Sequence, residues 1–114
     1  MECSGNHIER NQVKDNWKGG IYCGGSANTS SNIIRGNTIG GNGNFGIKDC
    51  GYYTNIIENN IRSNGAECII LSDSHYCSIT GNTVHSIQAE CNTQNYNIAG
   101  NSPCNDAHWI GKPP

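Results

Sequence analysis

Bulky core formers, charge and proline are all scarce in this chain: one Phe, one Met, three Pro and 14% charged residues among 114. So few large apolar side chains exclude a thick core, and the length is one domain's worth. The formal net charge is −2, so no basic stripe invites nucleic acid and no acidic block reads as a disordered tail. Apolar runs are short, "CIIL" at Cys68 to Leu71 being typical, far below the roughly 20 residues of a membrane-spanning helix. Neither nucleic acid nor a membrane is an expected partner. The opening "MECSGNHIER" has no basic n-region and no apolar h-region, so it carries no secretory signal of its own. The location is therefore open, and extracellular or cell-surface if the chain is a segment of a longer protein.

Cysteine is plentiful, but its spacing is not that of a metal or redox motif. The seven (Cys3, Cys23, Cys50, Cys68, Cys77, Cys91, Cys104) contain no C-x-x-C, and an odd count leaves at least one unpaired. Their expected role is that of small apolar core residues. Cys104 and His108 make a single C-x-x-x-H pair, whereas zinc sites show two short-spaced pairs. No metal site is expected.

What the chain does have is Asn, with 18 copies, and Gly, with 15. Gly41, Gly43 and Gly46 spell G-x-G-x-x-G, but the chain runs on into "IKDCG" rather than a helix, so no phosphate loop is expected there. A repeat explains the stretch better. The phrase I-x-x-N-x-[IV] occurs at Ile8, Asn11, Val13; at Ile34, Asn37, Ile39; at Ile56, Asn59, Ile61; and at Ile79, Asn82, Val84, with a degenerate copy at Ile98, Asn101, Pro103. Eight positions after Val13, Ile39 and Ile61 come Ile21, Ile47 and Ile69. Side chains alternate along a strand, so an inward Ile, a short bend and another inward Ile suit a chain wrapping a narrow core. Asn suits the bends, because it tolerates the left-handed region and bonds to nearby backbone. Stacked wraps of roughly 22 residues would align the Asn side chains as a ladder.

These residues resemble the right-handed parallel β-helix repeats of the pectin-lyase-like superfamily, which includes pectate lyases, polygalacturonases, mannuronan epimerases and phage tailspikes. The resemblance implies an all-β fold, a short right-handed parallel β-helix (solenoid) of about four to five rungs. Residues 1–84 read as regular repeats, 85–103 as a degenerate rung or loop, and 104–114 as a tail and candidate end cap, through Trp109 and Ile110. The N-terminal end is expected to be open, for self-association or for continuation of a longer chain. The competing fold is an antiparallel β-sandwich, whose strands rarely repeat one phrase at one period.

Stacking the wraps assigns columns. Ile21, Ile47 and Ile69 point in; Tyr22, Lys48 and Ile70 point out; Cys23, Asp49 and Leu71 fall inward again. A carboxylate is costly to bury unpaired, so the strand is expected to end at Asp49, with "DCGYY" making a corner. The resemblance implies a groove along one outer sheet face, carrying carboxylates for Ca²⁺ or acid/base work and Arg or Lys for sugar acids. By column the catalytic candidates are Lys48, Asp49, Asp73 and His75, with Arg62 and Glu67 beside them. The superfamily's enzyme motifs, such as N-T-D followed by D-D, G-H-G, R-I-K or D-P-H, are missing. Exposed aromatic rings can stack on sugars, which makes Trp17, Tyr22, Tyr52, Tyr53 and Tyr76 carbohydrate-binding candidates.

The first expected function is thus a noncatalytic polysaccharide-facing or surface-structural module of a larger carbohydrate-active protein. A polysaccharide lyase, epimerase or hydrolase is one alternative, and a trimeric spike-type element is the other. No cofactor is expected, apart from Ca²⁺ if the chain is a lyase.

Overall fold

The computed structural model describes residues 5–24, 31–90 and 93–110. Among them are fifteen short strands, β1 (His7–Glu9), β2 (Gln12–Lys14), β3 (Ile21–Cys23), β4 (Ile33–Arg35), β5 (Thr38–Gly40), β6 (Ile47–Asp49), β7 (Asn55–Ile57), β8 (Asn60–Arg62), β9 (Ile69–Ser72), β10 (Ser78–Thr80), β11 (Thr83–Val84), β12 (Ile87–Glu90), β13 (Asn97–Ala99), β14 (Ser102–Pro103) and β15 (His108–Ile110), and no helix. Every third strand stacks on the last. The first sheet has the order β1-β4-β7-β10-β13, the second β2-β5-β8-β11-β14 and the third β3-β6-β9-β12-β15, and every named pair is parallel. The chain is a parallel β-helix of four to five turns, as the repeat implied.

The register follows the repeated phrase. Ile8, Ile34, Ile56, Ile79 and Ile98 stack in the first sheet, and Val13, Ile39, Ile61, Val84 and Pro103 in the second. In the first two sheets the middle residue of a strand faces the core. In the third sheet the two outer ones do, so that β3 and β6 bury their first and last residues. The interior is a column of Ile, with Ile34, Ile47, Ile56, Ile61, Ile69 and Ile79 wholly buried. Each such side chain contributes about 1.5–3 kcal/mol. Cys23, Cys68 and Cys77 are core members too, in the small apolar role their spacing suggested.

The bends supply the rest. Between the first and second sheets Arg10, Gly36, Glu58, Gly81 and Gly100 all take positive φ, and each is followed by an Asn. The Asn backbone and side-chain N–H groups donate to the next rung's Asn Oδ1, in the series Asn11, Asn37, Asn59, Asn82 and Asn101, at 2.8–3.2 Å. Each Nδ2 from Asn37 onward also donates to the preceding rung's Ile carbonyl, as Asn59 does to Ile34 O at 2.9 Å. These ladders pair polar groups that the tight corners would otherwise leave buried and unsatisfied. A second ladder runs Asn16, Asn42, Asn64.

The glycine-rich stretch is a corner of this second ladder. Gly41 sits at φ 67°, and at Gly46 a Cβ would lie 2.6 Å from both Cys68 O and Ile61 Cγ2. Wraps can approach only where that side chain is missing.

Of the two irregular stretches, the first forms a rung, one of the two forms expected for it, and the second departs from expectation. The break after Val84 contains a full strand, since Ile87 and Ala89 continue the columns of Ile69 and Leu71 without the Gly-Ile signal. In the tail, β15 pairs in parallel with β12, so His108–Ile110 extend the third sheet rather than fold across the end; the side chains of Trp109 and Ile110 and residues 111–114 lie outside the described part.

Candidate functional site

The outer side of the third sheet is a column of Tyr22, Lys48, Ile70, Gln88 and His108, paired rung by rung, in which Tyr22 and His108 are exposed, Lys48 and Gln88 half-buried and Ile70 buried. On its second-sheet side the corner carries Trp17, 86% exposed, with Lys18 Nζ 5.7 Å from its ring centroid. Phe45 stands in the same corner, its ring filling the space over Gly19, while the Tyr22 ring lies over Gly24. The Tyr22 and Phe45 centroids are 6.3 Å apart at 55°. Glycines at those two points let the rings lie against the wall, and a Cβ would displace them.

The opposite corner, leading to the first sheet, is also aromatic. Tyr52 stacks on His75 at 4.6 Å and 30°, and Tyr53 on Tyr76 at 5.2 Å and 11°. The stacking follows from register, since Tyr52, His75 and Gln94 are bridged as successive rungs and Tyr53, Tyr76 and Asn95 share the positive-φ corner position. Tyr53 and Tyr76 are about half exposed. The five aromatic candidates therefore flank one face, Trp17 and Tyr22 near one end and Tyr52, Tyr53 and Tyr76 along the far corner. Phe45 and Gln88 were missed. A lone Phe shows its place only once the Trp17 corner is aligned with it.

Of the four catalytic candidates, Asp73 and His75 are brought together. Lys48 is on the outward column. Asp73 is exposed at a positive-φ bend, 3.3 Å from His75 Nε2. Asp49 is wholly buried, paired between Cys23 and Leu71. The strand ends at Asp49 as expected, but Asp49 is a buried strand residue rather than the start of the bend, and the corner begins after it. Thr54 Oγ1 donates to Asp49 Oδ1 at 2.9 Å and Ser74 Oγ to its backbone O at 2.5 Å, while Oδ2 has no partner. Burial, which outweighs these hydrogen bonds, holds the Asp49 carboxyl above its ordinary range. The acid is part of the core rather than of the outer face. Hydrolysis needs two carboxylates flanking one bond, and these two lie on opposite sides of the wall.

Of the remaining residues, Arg62 belongs to the second sheet's outer face, and Glu67 is half-buried in the corner before the third. Cys50 Sγ donates to Tyr22 Oη at 3.8 Å; that bond raises the phenol above its usual value, and burial raises the Cys50 thiol. Burial also pushes the Cys77 thiol up to about 12, helped by nearby Asp49.

A family model described as "Periplasmic copper-binding protein (NosD)" matches residues 1–106. No curated protein and no solved structure matches the chain. The copper of that description finds no ready centre in the described residues, where no three His, Cys, Asp or Glu side chains converge to hold a metal ion. Cys104 Sγ donates instead to Asp106 O at 3.1 Å. Cys3 and Cys91 lie outside the described part.

Proposed function

From a chain that belongs to this β-helix family, described as periplasmic, we propose a periplasmic, noncatalytic module whose third sheet lies against polysaccharide. The observation that carries the reading is the pair of aromatic corners, Trp17 with Phe45 and Tyr53 with Tyr76, standing on either side of the Tyr22–Lys48–Ile70–Gln88–His108 column. Sugar rings offer apolar faces and hydroxyl edges. Exposed aromatic rings take the faces, and Lys48, Gln88 and the corner amides take the edges. Such rings are stiff, so little conformational entropy opposes binding. Parallel stacking repeats the face every rung, about 4.8 Å along the axis, which suits an extended polymer better than a small molecule.

The carboxylates support the noncatalytic half. Asp49 is inside the coil, and Asp73 stands outside, 3.3 Å from His75 Nε2. The test is retention of the purified chain on immobilised polysaccharides, wild type against Trp17→Ala and Tyr22→Ala. Both side chains are exposed, so the variants should fold. Reduced retention in both supports the reading, and unchanged retention removes the third sheet from it.

A further inference from the structure

The second sheet carries a separate feature on its outer face. Lys14, Gly40 and Arg62 are register partners on three successive strands. Gly40 has no side chain, so the row reads cation, gap, cation, and the gap is the floor of an open cleft of about 550 Å³. The two cations stand two rungs apart, about 9.6 Å from backbone to backbone, and long side chains from both can lean over the gap.

The surroundings sharpen the chemistry. Asn60 Oδ1 accepts from Arg62 Nε at 2.8 Å, which fixes the plane of the guanidinium and leaves its terminal N–H groups for a ligand. Among the described residues neither Lys14 nor Arg62 is in an ion pair. Thr38 and Asn60 line the wall, and Asp15 closes the rim with its carboxylate against Gly41. Two cations against one carboxylate leave a net positive cleft. A planar fork and a point charge together suit an oxyanion. Thr38, Asn60 and Asp15 offer donors and acceptors for hydroxyl groups, and no aromatic side chain lines the cleft.

We propose that this cleft binds the anionic group of an acidic polysaccharide, with the charge held over Gly40 by Lys14 and Arg62 and neighbouring hydroxyls held by Asp15, Thr38 and Asn60. The site is on a different sheet from the aromatic face and does not depend on it. The row has no room for a side chain at that point, since a Cβ on Gly40 would lie 2.9 Å from Arg62 O.

The experiment is titration of the purified chain with a polyuronate, with free glucuronate, with inorganic phosphate and with a neutral glucan, at low and high salt. Lys14→Gln and Arg62→Gln serve as variants, both being exposed, with Tyr22→Ala marking the other face. The expected result is polyuronate binding that salt weakens and that each cleft variant weakens roughly three- to tenfold, while Tyr22→Ala leaves that component unchanged. Free glucuronate or phosphate binding as tightly as the polymer would overturn the polymeric ligand. Polyuronate binding indifferent to both cleft variants, or no polyuronate binding at all, would overturn the site. Loss of neutral-glucan binding in Tyr22→Ala alone speaks to the third sheet and leaves the cleft result to be read by itself.

Discussion

Replacing Asp49 with Asn should remove a pH-dependent weakness from the core. The carboxyl is wholly buried, takes one side-chain hydrogen bond from Thr54 and has one oxygen unpartnered, so its folded-state pKa lies above the ordinary 3.8. Below pH 3.8 the acid is protonated in both states and adds no pH dependence. As the pH rises past that value the unfolded chain ionises while the folded chain stays protonated, and stability falls by up to about 1.4 kcal/mol per pH unit. The fall ends once the pH passes the raised folded value. Asn keeps the shape and the acceptor for Thr54 but has no proton to lose. Urea unfolding from pH 3.5 to 8 should therefore show a wild-type minus Asp49→Asn difference that drops above pH 3.8 and then levels. Asp49→Leu, which extends the Leu71 column, should share that profile and so separate charge from volume. Parallel wild-type and Asn profiles, or a wild type that gains on the variant as the pH rises, would refute a carboxyl raised by burial.

Three further outcomes follow from the packing. Asn59→Ala breaks ladder bonds to Asn37, Asn82 and Ile34 at once and should cost about 2–4 kcal/mol in chemical denaturation, against well under half of that for Asn11→Ala on the exposed first rung. Ile56→Ala opens a cavity in the fully buried column and should cost about 2–5 kcal/mol, measured by the shift in urea midpoint. Cys77, its thiol pushed up to about 12, should resist alkylation at pH 8 until urea unfolds the chain; labelling of the folded protein at the rate of an open thiol would contradict its burial.

The coil was legible in the sequence because its signal is repeated and local. An inward Ile on either side of an Asn corner must recur at each wrap, and the ladder ties every Asn to the next. β12 was hidden because Ile87 and Ala89 fill the same columns after a bend without Gly. Asp49 was misjudged because the groups that make its burial tolerable, Thr54 and Ser74, arrive from the next corner and the next rung. Nothing beside Asp49 in the chain announces them. The aromatic face was partly legible, since Tyr52, Tyr53 and Tyr76 are visible as residues, but their stacking depends on loop lengths that the repeat leaves slack. The Lys14–Gly40–Arg62 cleft was illegible for the opposite reason. Its informative member is a missing side chain, and a glycine in a glycine-rich chain attracts no notice until three rungs are laid side by side.

The measurement that bears most directly on the proposed role scores retention and turnover together. The chain is incubated with immobilised acidic and neutral polysaccharides, with and without Ca²⁺, and the supernatant is assayed for new reducing ends and unsaturated products. The expected result is retention without product, equal in wild type, Asp73→Ala and Asp49→Asn, and reduced in Trp17→Ala. Product that disappears in Asp73→Ala would make the face catalytic, and absence of retention on every polymer would contradict a polysaccharide-facing module.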